Sequence, residues 1–239
     1  MTASVSLRRG EFAAGAFTIL PLLVAVVPFG LLLGTLAAQK GLSPLETALM
    51  SATVFAGASQ FVAVEIWTTP TAVVLLTATA LMVNLRHVLM GAAMAPHLRG
   101  WSRGWTYGGL FFMADEIWAF ALKRGADRPL TPAYYFGLSL PLYLGWVLTT
   151  TLGAVFGGVL QDPARYGLDF AFTAVFLTLL VGLWKGKRSF YPWAAAALVA
   201  VAAHQLLPGV WYIALGGIAG TLVGALQGPA ALKEVTDAA

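Results

Sequence analysis

Eight apolar runs divide the chain, at residues 12–38, 44–67, 71–95, 105–122, 132–160, 166–184, 192–207 and 211–226, separated by short polar or charged segments. About 20 apolar residues let an α-helix cross ~30 Å of hydrocarbon. The pattern therefore predicts an all-α polytopic membrane protein of about eight transmembrane helices, forming one transmembrane domain over 1–239. The last two runs would each be only ~24 Å long at ~1.5 Å per residue. They are short spanning helices or a re-entrant hairpin turning at Pro208-Gly209, and spanning is the adopted expectation. Ser43 as N-cap with Pro44 behind it marks the start of the second helix.

The polar positions inside these runs are few. Run one contains Pro28-Phe29-Gly30 at mid-span, expected as a kink or as a broken helix 1 whose freed backbone groups meet a substrate. Run two contains Gly57-Ala58-Ser59-Gln60, with Glu65 near its end. Run three contains Asn84, Arg86 and His87. An arginine at that depth costs ~2.5–3.5 kcal/mol on insertion scales, so it demands a partner, a water-filled cavity or a task. Asn84, His87 and Gly91 share one helical stripe, and Arg86 points elsewhere. Run four contains Asp115-Glu116, and Asp169 lies near the start of run six. Pairing of Arg86 with one of the adjacent acids is expected, leaving the other to carry a proton. A fixed network of all three charges is the alternative.

Composition narrows the class further. Hydrophobic residues make up 59% of the 239 positions and charged residues 10%, against about 25% charged in soluble domains. The net charge is +4, but the basic residues sit in short loops, which fits membrane orientation better than nucleic acid. With eight crossings, Arg8, Arg9, Lys123, Arg124, Arg128, Lys185, Lys187, Arg188 and Lys233 fall on one side. Lys40, Arg99, Arg103 and Arg165 fall on the other. The positive-inside rule then puts both termini in the cytoplasm. The first run is too long for a signal-peptide core, so a retained helix is expected.

Several chemistries have no support. There is no cysteine, which excludes disulfides and thiol catalysis. No HExxH, Walker-type phosphate loop or G-x-S-x-G elbow occurs. One histidine and two carboxylates without ligand spacing do not make a metal site. No enzyme activity and no cofactor are expected. A weak internal repeat is visible: Leu20-Pro21, Leu33-Gly34 and Ala52-Thr53-Val54-Phe55 recur as Leu140-Pro141, Leu152-Gly153 and Thr173-Ala174-Val175-Phe176. It suggests parallel repeats over 12–122 and 132–227.

Taken in order, P-F-G at 28–30, F-A-G-A-S-Q-F at 55–61, N-L-R-H at 84–87, D-E at 115–116 and G-L-D-F-A at 167–171 resemble the AzlC-type (azaleucine resistance) branched-chain amino acid permease family. The resemblance covers nearly the whole chain. It implies the large subunit of a two-component exporter of small hydrophobic amino acids in the plasma membrane, among membrane lipid, with a small AzlD-type membrane subunit as partner. The face of Ala52, Ala56 and Ala63 is a candidate surface for that partner. On this view the substrate site lies near mid-bilayer among Pro28, Phe29, Gly30, Gly57, Ala58, Ser59, Gln60, Asn84 and His87. Arg86, Asp115, Glu116 and Asp169 then serve ion pairing or proton coupling. A channel and a non-transporting assembly subunit are the competing classes.

Overall fold

The computed structural model describes residues 9–157, 186–207 and 211–227, and the single positions 170, 177, 181 and 184. The described residues form ten helices and no strand. These are α1 (Arg9–Gln39), α2 (Pro44–Thr53), α3 (Gly57–Glu65), α4 (Val73–Asn84), α5 (Arg86–Met94), α6 (Arg103–Phe111), α7 (Asp115–Asp127), α8 (Pro132–Gly157), α9 (Lys187–Leu206) and α10 (Trp211–Leu226). Among the described residues, three stretches are long and apolar enough to cross a membrane: Gly10–Gln39, Val73–Met94 and Pro132–Gly157. The expected sixth run, with Asp169, lies outside the described residues apart from those single positions. The chain is an all-helical membrane protein in its described part.

Two compact units divide the described residues: 9–72 with 84–157, and 73–83 with the described positions from 170 onward. In the second, α9 and α10 pack antiparallel, with Gly216 and Gly220 against Ala196. The candidate site belongs wholly to the first, whose spine is α1 against α8. The two helices run in the same direction. Gly15 meets Leu138 near their starts, and Gly34 meets Gly153 and Ala154 near their ends. A Cβ on Gly34 would collide with the carbonyl of Thr150, and one on Gly153 with the carbonyl of Leu31. Without side chains at these points the backbones approach closely, which is how helices associate in lipid. Polar side chains sit inside and large apolar ones face outward. Thr47, Ser51, Ser59, Gln60, Ser139 and Thr150 are buried, whereas Phe17, Val24, Leu144 and Leu148 are exposed.

The proline-bearing first helix is not broken. It continues through Pro21 and Pro28 as one 31-residue helix, so the expectation of a discontinuous helix 1 is corrected. Each proline removes one backbone hydrogen bond, yet the helix packs closely along α8 on both sides of them. Gly30 serves that packing, lying on Thr149.

The breaks fall elsewhere. Runs two and four, expected as single crossings, are each two half-helices joined by a chain reversal. A straight helix from Pro44 to Glu65 would separate its ends by ~31 Å. Instead Lys40 Nζ, just past the end of α1, donates to the Glu65 carbonyl at 2.7 Å. Ser51 of α2 and Gln60 of α3 are hydrogen-bonded at 2.9 Å, where a continuous helix would hold them ~13 Å apart. Likewise Trp101 Nε1, before α6, donates to the Leu130 carbonyl, beyond α7, at 3.1 Å, and Gly125 of α7 lies on the His97 ring. Hairpin α2/α3 thus enters from the end of the bundle where α1 finishes, and α6/α7 from the end where α1 begins. Their tips, 54–56 and 112–114, lie between those ends.

Physical reasons favour both reversals. The first brings Gln60 and Ser51 together with Trp146, so that buried polar groups satisfy one another. The second moves Asp115 and Glu116 from mid-helix to the first turn of α7, where the helix dipole favours carboxylates.

Candidate functional site

The two tips converge on Tyr143 of α8. Its ring makes edge contacts with Phe55 of the first tip at 5.3 Å and Phe112 of the second at 4.9 Å. Its hydroxyl donates to the Ala52 carbonyl at 2.9 Å. Both α3 and α7 begin at their tips, so both direct their positive dipole ends into the same region. Their equipment differs. The first turn of α3 carries Gly57, Ala58 and Ser59 and no acid, whereas that of α7 carries Asp115 and Glu116. Neither N-cap residue, Ala56 or Ala114, caps with its side chain.

The N-L-R-H stretch joins the two. Leu85 separates α4 from α5 with only a local irregularity, its φ and ψ being −53° and −29°. Asn84 Nδ2 donates to Ser59 Oγ of the first tip at 3.2 Å. One residue past Leu85, Arg86 pairs with Asp115 of the second at 2.7 Å. His87 Nδ1 lies 3.3 Å from the Asn84 carbonyl. From there α5 and α7 run side by side: Arg86 meets Asp115, Trp118 Nε1 donates to the Met90 carbonyl at 3.2 Å, and His97 meets Gly125. Asn84 Oδ1 and Arg86 Nε are buried without hydrogen-bond partners.

The sequence-predicted residues therefore gather, in different roles. Gln60 is 1% exposed. Its amide donates to Ser51 Oγ and its carbonyl accepts from Trp146 Nε1 at 2.8 Å. Thr150 Oγ1 lies 2.8 Å from the same Ser51 hydroxyl. Gly57 sits on the Trp146 indole and Gly30 on Thr149, which ties both to this buried network. Phe29 is half-buried beside it in sequence, and Pro28 is exposed. Ser59, Asn84 and His87 form a second cluster. Arg86 and Asp115 form a third with Glu116, which makes no salt bridge among the described residues. Asp169 lies outside those residues. Ala52, Ala56 and Ala63 fall on α2, on the tip and on α3, so they do not share one helical face.

Sequence reasoning missed Ser51, Trp146 and Thr150. The run Thr149-Thr150-Thr151 deep in an apolar helix, one turn beyond a tryptophan, was the available signal, since a buried indole N–H needs an acceptor. It also missed a clamp at the start of α1. Arg124 donates to both carboxylate oxygens of Glu11 at 3.0 and 2.8 Å. Thr131 adds a third bond at 3.2 Å, and the guanidinium stacks 4.5 Å from the centre of the Tyr134 ring.

Comparison with known proteins bears on this arrangement. The family model described as AzlC protein matches residues 21–160, which include both hairpins. The chain is 28% identical over 225 residues to the branched-chain amino acid transport protein AzlC of Bacillus subtilis, covering 91% of this chain and 85% of that one. It is 28% identical over 217 residues to the inner membrane protein YgaZ of Escherichia coli, covering 87% and 86%. An uncharacterized membrane protein of Archaeoglobus fulgidus is 30% identical over 226 residues, covering 92% and 97%. No solved structure matches. With its tips and the polar stretch between them inside the matched region, the chain belongs to the AzlC family of membrane proteins.

Proposed function

We propose that this chain is a permease that exports branched-chain or similar hydrophobic amino acids, and that it works with a small AzlD-type subunit. The observation that carries this reading is the meeting of two half-helix tips between the ends of the bundle, one without acid and one bearing Asp115 and Glu116. In lipid, irregular backbone is tolerated only inside protein or beside a water-filled cavity, and transporters bind substrates at such helix breaks. Tyr143, Phe55 and Phe112 supply an apolar wall, and the polar groups of the N-L-R-H stretch lie beside it. The transport name of the Bacillus relative supports the substrate class.

The expected substrate region is kept near Pro28, Phe29, Gly30, Gly57, Ala58, Ser59, Gln60, Asn84 and His87. Gln60 holds the first hairpin while Ser59 and Asn84 border the path. Glu116 is the proton carrier in this scheme, because Arg86 already engages Asp115. The chain crosses the membrane with the α1 start on the cytoplasmic side. Among described residues of the first unit, Arg9, Arg99, Arg103, Lys123, Arg124 and Arg128 lie at the end where α1 starts, and Lys40 lies at the other. That asymmetry is steeper than the one expected from eight crossings, because the second hairpin brings Arg99 and Arg103 back to the basic side. The shared direction of α1 and α8 supports a parallel repeat.

Efflux of labelled leucine from proteoliposomes, with the chain alone and with its co-expressed small partner, tests the proposal. Gradient-dependent efflux above that of empty liposomes is expected from the pair. Efflux no faster than from empty liposomes in both preparations would refute it.

A further inference from the structure

The described residues of the first unit contain two ion pairs that are built differently. In Glu11–Arg124 one guanidinium nitrogen donates to both carboxylate oxygens, the side chains are only 28% and 15% exposed, and Thr131 and the Tyr134 ring brace the pair. Arg86–Asp115 is a single contact between NH1 and Oδ2, with side chains 36% and 45% exposed. Nε of both arginines is buried without a hydrogen-bond partner, so the two pairs differ in their contacts, bracing and exposure. A permanent structural pair gains from the first design, because two charge-assisted bonds to one carboxylate, with Thr131 and the Tyr134 ring beside them, fix its geometry. The second design leaves donor and acceptor capacity unused on both members.

Depth sharpens the contrast. Within the apolar stretch Val73–Met94, Arg86 follows its start by thirteen residues and precedes its end by eight. Asp115 is the first residue of α7, at a hairpin tip. Charges so placed and half-exposed cannot face lipid cheaply, so they face water or a ligand. The phenol and rings of Tyr143 and Phe112 close one side of that tip.

We infer that the Arg86–Asp115 pair is the docking point for the charged head of the substrate, which binds by exchange. The substrate carboxylate takes the guanidinium of Arg86, its ammonium takes the carboxylate of Asp115, and the protein ion pair opens to admit both. The inference rests on the amino acid permease reading and names what that site selects: zwitterions with both the α-ammonium and the α-carboxylate free. An exchange of this kind leaves no charge unpaired before or after binding, which is the condition for moving charges inside a membrane. A compound with one charge would strand either Arg86 or Asp115.

The test is competition against labelled leucine on the purified protein with its partner in nanodiscs. Unlabelled leucine, leucinamide and 4-methyl-2-oxopentanoate are the competitors. A charge-assisted hydrogen bond contributes enough for a loss of about tenfold to a hundredfold. Leucinamide and the oxo acid should therefore each compete at least tenfold more weakly than leucine. Asp115→Asn should weaken leucine about tenfold or more and leave the oxo acid bound at least as tightly as in the wild type, because that variant has no carboxylate to strand. A purely structural pair would instead lower the number of leucine sites through loss of folded protein and leave the relative affinities of leucine and the oxo acid unchanged. Leucine bound saturably, with either singly charged compound within threefold of it, would overturn this inference alone. No saturable leucine binding by the wild-type protein would overturn both this inference and the permease reading. The wild-type competition stands whether or not the variant folds.

Discussion

Replacing Trp146 with Phe tests what holds the first hairpin in place. The indole N–H donates to Gln60 Oε1 at 2.8 Å, and Gln60 is in turn bonded to Ser51 across the reversal. Trp146→Phe removes that donor and strands a buried acceptor. In soluble proteins such a group costs ~1–3 kcal/mol. Double-mutant cycles between membrane helices average only ~0.6 and reach ~1.7 kcal/mol. We take the lower range, because an unfolded helix in a micelle finds other partners. The smaller ring also leaves Gly57, whose Cβ position lies 3.3 Å from the indole edge, without its packing partner. The single substitution therefore mixes two losses. A cycle with Gln60→Leu separates them, since the packing loss is common to both backgrounds. The expected coupling energy is about 0.6–1.7 kcal/mol, read from reversible unfolding in mixed micelles followed by circular dichroism. Additivity within ~0.3 kcal/mol would mean that the bond contributes nothing and that the hairpin is held by packing alone.

Four further outcomes are expected. Gly153→Leu, forced against the Leu31 backbone, should abolish monodisperse protein in detergent, whereas Gly104→Ala, with open space around it, should change stability by no more than ~1 kcal/mol; equal yields for the two would refute the α1–α8 contact. In this cysteine-free chain, Gln39→Cys and Thr68→Cys should react with an impermeant thiol reagent from one side and Ser102→Cys and Arg128→Cys from the other; Ser102→Cys reacting together with Gln39→Cys would refute the second hairpin. Glu116→Gln should fold yet lose the response of leucine efflux to an imposed pH gradient, and an unchanged response would remove Glu116 as proton carrier. Glu11→Gln should cost about 1–3 kcal/mol of stability through the lost charge-assisted bonds to Arg124, checked by the same micelle unfolding.

The sequence made the class and several residues of the candidate site legible for definite reasons. Long apolar runs mark membrane helices directly, and Asn84, Arg86, Asp115 and Glu116 stand out because charge in lipid is expensive. The pairing of Arg86 with one of the adjacent acids followed from that cost, and the structure selects Asp115. The reversals were not legible. A hairpin of two half-helices has the same length and hydropathy as one crossing helix, and no proline marks either tip. The visible prolines misled instead: Pro28 sits in a continuous helix because α8 supports it along its length. Gln60 stands out in the sequence as a polar group inside an apolar run, and the structure buries it. Its partners Ser51, Trp146 and Thr150 come from distant or reversed segments, which a linear pattern does not bring together.

The close seam between α1 and α8 also sets an order of assembly. Gly15 and Gly34 of the first helix wait for partners around Leu138 and Gly153, about 120 residues later in the chain. At synthesis rates of ~5–20 residues per second, that interval is ~6–24 s. During it the glycine face of α1 lies against lipid or an insertion factor, and Glu11 waits almost as long for Arg124. Both hairpins are synthesised before the surface on which they fold exists, because Tyr143, Trp146 and Thr150 all belong to the late helix. The first unit is therefore closed by α8, its last described helix, and a chain arrested before residue 132 would have spans without a core.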